Sequence, residues 1–192
     1  MARRPDPERR EQFLSAALAL FAQKGVQNTS TAAIAKRAGS AAGTLFLYFP
    51  TKQDLINELV LQISRENSTY IKSQLTADLS PRESFRTIWQ GYTSWFLENK
   101  DAYRYIRQIM DSGEVLEEIT QETTANLDYY FAAIQKGITE GAIKPYPPEL
   151  IGGILYQDIV AVMNLISTQP DAAQQEAIIC AGFEIFWNGI KN

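Results

Sequence analysis

Histidine is absent from this chain of 192 residues. That removes the serine-histidine triad, the usual imidazole base and zinc sites built on imidazole. One cysteine is present, Cys180, so no intrachain disulfide can form. A lone thiol flanked by Ile178, Ile179 and Ala181 is expected in the core. There is no glycine-rich phosphate loop, no dinucleotide fingerprint and no carboxylate cluster at metal spacing. Glu117, Glu118 and Glu122 fall at i, i+1 and i+5 among polar neighbours, the pattern of a solvated helix face. These gaps argue against an enzyme, and neither cofactor nor metal is expected. The apolar stretches are broken by charged or polar residues, and the start reads Arg3-Arg4-Pro5-Asp6-Pro7-Glu8 instead of an apolar signal region. No membrane span is expected, and cytoplasmic residence is.

What is present is a 45% hydrophobic chain with charge segregated along it. Residues 1–52 hold eight basic side chains (Arg3, Arg4, Arg9, Arg10, Lys24, Lys36, Arg37, Lys52) against three acidic ones (Asp6, Glu8, Glu11), a local excess of about +5. The whole chain carries -4, so only its first part suits a polyanion. The same part encodes two short helices around a tight turn. Thr31 is expected to cap the first, which buries Ile34, Ala35 and Ala38 and stops at Gly39, a residue suited to a left-handed position. In the second helix Leu45, Tyr48 and Phe49 recur at i, i+3 and i+4. Ala41, Ala42, Gly43, Thr44 and Leu47 are left facing outward. Pro50 then breaks the chain. A helix with a small outward face at this spacing is the layout of a helix-turn-helix reader of DNA. Before it, Asp6 and Pro7 open a helix carrying Phe13, Ala17, Leu20 and Phe21 that Gly25 ends. The arm Ala2-Arg3-Arg4-Pro5 is a candidate for a minor groove or a phosphate backbone, with a functionless tail the competing reading.

Gly39, Gly43-Thr44-Leu45, Tyr48-Phe49 and Lys52, after a helix ending Phe21 to Gly25, resemble the TetR family of transcriptional repressors. The motif covers about the first 60 residues. The resemblance implies an all-α fold, with a three-helix DNA-binding head over residues 1–50 and a larger helical ligand-binding and dimerisation domain over 51–192. It implies a dimeric repressor of a palindromic double-stranded operator, released by a small molecule. Position by position it implies phosphate contacts from Thr31, Tyr48 and Lys52, and base or sugar contacts from Ala41 to Thr44 with Leu47. Ala41, Ala42 and Leu47 depart from the commonest pattern, in which a capping Ser, a Lys and a polar or aromatic residue stand. The open routes to specificity are Thr44, apolar contact of Ala42 or Leu47 with a thymine methyl, main-chain amides and DNA shape. The competing reading is a helical small-molecule-binding protein whose head has lost its code.

Beyond Thr51 the pattern gives a long helix from Lys52 to about Leu75, opened by the capping box Thr51 to Asp54, and a helix from Ser80-Pro81 to about Asn99. A third runs from Asp101 to Ser112, and a fourth from about Glu114 to Thr139 before Gly141. The last three concentrate aromatic residues, which serve either a core or the wall of an apolar site. Candidate lining residues are Trp89, Tyr92 and Phe96 on one helix, Tyr103, Ile106 and Met110 on the next, and Asn126, Tyr130 and Ile134 on the last. They suit an apolar or aromatic effector. Arg104 and Arg107 are candidates to hold a carboxylate, and Asp111, Asp128 and Asp158 a cation. After the Pro145–Pro148 connection, two apolar helices, Glu149 to about Ser167 and Asp171 to about Ile190, are expected to form a homodimer interface.

Overall fold

The structure, a computed structural model, describes residues 6–112, 117–169 and 171–192. Among these residues there are ten helices and no strand. They are α1 (Pro7–Lys24), α2 (Thr31–Arg37), α3 (Ala42–Leu45), α4 (Lys52–Lys72), α5 (Pro81–Glu98), α6 (Lys100–Ser112), α7 (Glu117–Ala125), α8 (Asp128–Thr139), α9 (Pro148–Ile166) and α10 (Ala172–Ile190). The expected all-α class holds.

The chain packs as two units that are not contiguous in sequence: Met1–Arg65 with Asn99–Thr124, and Glu66–Glu98 with Ala125–Asn192. The expected division at residue 50 therefore differs from the packing. Long-range contacts attach α6 and the first part of α4 to α1, which no local periodicity reveals. Phe21 stacks on Tyr105 at 5.7 Å, and the Tyr105 hydroxyl donates to the Ile56 carbonyl at 2.7 Å. Gln108 donates to the Phe21 carbonyl at 3.2 Å. Arg10 bridges to Glu58 at 2.8 Å, and Arg65 reaches the same carboxylate at 2.7 Å. Partial burial pushes the Glu58 carboxyl up, but the two guanidinium groups more than offset it and hold the group below its ordinary value.

Helix starts follow the chemistry of their first turns. Asp6 caps α1 by accepting from the Glu8 amide at 3.0 Å, with Pro7 behind it. At the start of α4 the Thr51 amide donates to Asp54 at 2.8 Å, and the Asp54 amide donates to the Thr51 hydroxyl at 3.1 Å. Ser80 and Glu83 make the equivalent box before α5. One start is corrected: Ser30, not Thr31, caps α2, its hydroxyl accepting from the Ala33 amide at 3.1 Å. Thr31 is the first helical residue.

The expected single helix ending at Thr139 is two, broken at Asn126-Leu127. Its start near Glu114 lies outside the described residues. The stretch before the break is rich in threonine, and Thr123 and Thr124 both donate to the Thr120 carbonyl, at 2.9 and 2.8 Å. Such back-bonding competes with the helical ladder and loosens it. Asp128 then accepts from the Tyr129 amide at 2.8 Å as the chain restarts.

In the second unit α5 packs on α8, α9 and α10, and α9 packs on α10. Trp89 is fully buried there. Its indole donates to the Ile179 carbonyl at 3.0 Å and stacks on Phe186 at 6.2 Å. A Cβ on Gly182 would stand 2.8 Å from the indole and collide with Val162, so only glycine lets α10 approach this closely. Among the described residues one helix, α9, is long and apolar enough to cross a membrane by length and composition. Its face Ile151, Leu155, Ile159, Val162, Met163 and Ile166 is buried in the protein. Cys180 is a further correction. It is exposed, because the α10 period turns Ile179, Phe183, Phe186 and Trp187 inward and leaves Cys180 with Ala177, Ala181 and Ile185 on the opposite side. Slight burial and the neighbouring Glu176 carboxylate push its thiol up.

Candidate functional site

The turn between α2 and α3 is built as its residues dictate. Gly39 takes φ 65°, a left-handed value that costs glycine little. The Ser40 amide closes the turn on the Ala35 carbonyl at 2.9 Å. Leu45 and Phe49 anchor the second element, both buried, beside buried Ile34 and Ala35. Ala41, Ala42 and Gly43 are exposed and Thr44 is half-buried. Ala41 stands at the N-cap of α3 without a side-chain hydrogen bond. Leu47 is 76% exposed.

Tyr48 is half-buried, its ring 5.5 Å from Phe13, and its hydroxyl accepts from the Asp6 amide at 3.1 Å. Lys52 is half-buried too. Its ammonium donates to the Val26 carbonyl at 2.6 Å and lies 5.9 Å over the Phe21 ring. Thr31 is half-exposed at the first turn of α2, and Lys36 and Arg37 are exposed in its last turn. Arg3 and Arg4 lie outside the described residues. Phe46, absent from the sequence-based set, is 44% exposed. The available signal was its place at i+4 from Ala42 and i+3 from Gly43, both outward, and away from buried Leu45 and Phe49.

The nine effector-lining candidates divide. Tyr103, Ile106 and Met110 sit on α6 in the first unit, with Met110 57% exposed. Trp89, Tyr92, Phe96, Asn126, Tyr130 and Ile134 belong to the second. Trp89 is packed in the core, with closed surroundings and a satisfied indole. The Tyr130 hydroxyl donates to the Pro148 carbonyl at 2.9 Å, and Ile134 is 2% exposed. Tyr92 and Tyr129 share a hydroxyl–hydroxyl bond at 3.0 Å, and Phe96 stacks on Tyr92 at 6.4 Å. Burial, with Tyr92 close by, pushes the Tyr129 phenol up, so both hydroxyls stay protonated at neutral pH. Sequence reasoning missed Tyr129 and the buried polar groups Asn67, Ser68 and Thr93. The available signal was polar residues falling inside the apolar stripes of α4 and α5. Among the described residues Asn67 Nδ2 finds no hydrogen-bond partner.

Two clefts among the described residues lie in the first unit. One of about 410 Å³ is lined by Glu8, Glu11, Gln12, Ser15, Ala16, Arg37 and Ala38, and one of about 250 Å³ by Gly25 to Asn28, Gln108, Ile109 and Ser112. Neither contains an expected lining residue. Of the charged candidates, Arg107 pairs with Asp111 at 3.8 Å, Arg104 pairs with Asp101 at 3.2 Å, Asp128 pairs with Lys72 at 2.6 Å, and Asp158 is half-buried.

Comparison with known proteins adds independent findings. Residues 13–59 match the family model described as bacterial regulatory proteins, tetR family, and residues 60–192 match the tetracyclin repressor-like C-terminal domain. The HTH-type transcriptional regulator LuxR of Vibrio harveyi is 32% identical over 42% of this chain and 40% of its own length. The HTH-type transcriptional regulator YhgD of Bacillus subtilis strain 168 is 25% identical over 81% of this chain and 83% of its own. A crystal structure from Shewanella sp. PV-4, assigned to tetR-family transcription regulators, superimposes with a TM-score of 0.89 at 26% identity and covers 96% of this chain and 98% of that one.

Proposed function

The chain belongs to the TetR family of bacterial transcriptional regulators, and from that premise we propose that it is a cytoplasmic repressor that binds a palindromic operator as a homodimer and releases it when a small, mostly apolar effector binds the second unit. The observation that carries the DNA-reading part is the exposed, side-chain-poor face of α3 within residues 1–52, which hold eight basic side chains against three acidic ones. Small residues let the backbone approach base edges, while flanking cations neutralise phosphates. The relatives named above are regulators, which favours this reading over a head without a code and over an enzyme.

The phosphate-binding roles of Tyr48 and Lys52 are compatible with their internal bonds. The Tyr48 oxygen accepts from Asp6, so its own O–H remains free to donate to a phosphate. Lys52 spends one N–H on Val26 and keeps two. Thr31 supplies a hydroxyl at the start of α2, and Arg3 and Arg4 supply charge ahead of α1. Lys52→Met keeps the packing over Phe21 and removes the charge. It is expected to weaken operator and random DNA by the same factor and to reduce the salt slope by about 1 for each head. Titration of both DNAs at several salt concentrations reads this out, and a loss confined to the operator would contradict a phosphate role.

For the effector, the second unit offers aromatic walls (Tyr92, Phe96, Tyr130) with few polar groups, the make-up of small-molecule sites. Asn67 Nδ2 and the Tyr92–Tyr129 pair favour an effector that carries a hydrogen-bond acceptor. Helix α4 belongs to both units by chain continuity, so a ligand that biases its conformation would oppose DNA reciprocally. The function is tested by selecting bound duplexes from a random pool at moderate salt. An enriched palindrome is expected, and salt-sensitive retention without enrichment would overturn the reading.

A further inference from the structure

Phe46 and Leu47 are large apolar side chains on the reading element, 44% and 76% exposed. Helical winding continues beyond α3: the Leu47 amide donates to the Thr44 carbonyl at 3.2 Å, and the Tyr48 and Phe49 amides donate to the Leu45 carbonyl at 3.0 and 2.9 Å. Phe46 therefore stands at i+4 from Ala42 and i+3 from Gly43, and Leu47 at i+4 from Gly43, so that they neighbour one another on the outward side. Leu45 and Phe49 occupy the opposite, buried side. From Ala41 to Leu47 the chain carries no Arg, Lys, Asn, Gln, Asp or Glu, and its one hydroxyl, on Thr44, is half-buried. None of the usual bidentate pairings with a guanine, adenine or cytosine edge can be made from this face.

An apolar pair turned to solvent within residues 1–52, where basic side chains exceed acidic ones by about five, calls for an apolar partner at the end of a charged approach. In the major groove of DNA the apolar group on a base edge is the C5-methyl of thymine. We propose that this element reads its operator chiefly through thymine methyl groups, with Leu47 and Phe46 as the socket and Ala42 and Gly43 allowing the backbone close enough for them to reach. The inference rests on the reading of the first unit as an operator-binding head. The exposed charges of Lys36 and Arg37 on the preceding helix suit the flanking phosphates and supply affinity without sequence information. Specificity then comes from burial of methyl groups, and a half-site contains at least one thymine whose methyl carries most of the discrimination at its position.

The test uses the full chain and the operator obtained by selection. Replacing a thymine by deoxyuridine removes only the methyl. At the contacted position the affinity is expected to fall about fourfold for one half-site and about fifteenfold when both half-sites are changed. Thymine replaced by cytosine should lose affinity, and 5-methylcytosine at the same position should recover part of it. With Leu47→Ala the deoxyuridine penalty should shrink or vanish; Leu47 is exposed, so folding is unaffected. Deoxyuridine at every operator thymine without loss of affinity would overturn the proposal and leave the operator-binding reading standing. A pool with no enriched site would overturn that reading and this one with it. Association beyond a dimer in DNA-free protein, abolished by Leu47→Ser, would assign the face to another copy of the chain and overturn the proposal.

Discussion

Trp89→Ala is expected to lower the free energy of unfolding by about 3–5 kcal/mol, the range for deleting a large buried aromatic side chain. The indole has no exposed surface, stacks on Phe186, meets Phe183 edge-on at 6.2 Å, and satisfies the Ile179 carbonyl. The surrounding helices cannot collapse into the hole easily. Gly182 already brings α10 as near as its backbone allows, and Val162 closes the site from α9. Removal also loses the indole's hydrogen bond to the Ile179 carbonyl. Denaturant unfolding at matched protomer concentration measures the loss, since any dimer makes apparent stability depend on concentration. A loss below about 1 kcal/mol would mean that the indole borders space that a ligand fills, and Trp89 would return to the effector set.

That outcome bears on why parts of this molecule are legible in its sequence and others are not. Helix boundaries are legible because caps are local. Asp6-Pro7, Thr51 with Asp54, and Ser80 with Glu83 announce starts, and Gly25, Gly39 and Gly141, all with positive φ, announce stops. The reading element is legible for the same reason, since its turn, its buried Leu45 and Phe49 and its small outward residues lie within one short window. The one displaced cap, Ser30 for Thr31, reflects two adjacent hydroxyls of nearly equal propensity. The break at Asn126-Leu127 was hidden because the apolar period runs on across it, while the threonine back-bonds that loosen the helix have no periodic signature.

The division of the effector candidates was not legible at all. Tyr105, Tyr103 and Ile106 lie in the same kind of aromatic helix as Trp89 and Tyr92, yet α6 packs with α1 through Tyr105–Ile56 and Gln108–Phe21 bonds that span 49 and 87 residues. Aromatic area alone does not distinguish a core from a wall; the partner of each polar tip does. Trp89 has a main-chain partner in a closed site, whereas the Tyr92 and Tyr129 hydroxyls bond each other, with Ser68 against Tyr129.

Ile185→Glu is expected to convert the protein from dimer to monomer and to weaken operator binding by about 10²–10⁴-fold, the advantage that linkage of two heads confers. The argument starts from a reversal on α10. The stripe Ile179, Phe183, Phe186 and Ile190 is buried within the chain, while Ala177, Ala181 and Ile185, 71% exposed at the last, face outward. Helix α9 repeats the pattern with Leu150, Ile154 and Leu165 at 50, 43 and 56% exposure. Two adjacent helices with small and aliphatic outward residues and few charges resemble half of a four-helix interface. Around a twofold axis each substitution counts twice, so one glutamate places two charges in an apolar contact where neither finds a cation. Because Ile185 contributes little to the core of a single chain, far-UV circular dichroism should be unchanged. Sedimentation velocity at micromolar concentration should report the monomer, and operator titration the lost affinity, with weak binding to random DNA per head retained. A dimer that survives Ile185→Glu with operator affinity intact would move the interface off α10 and leave its exposed stripe without the role argued for it.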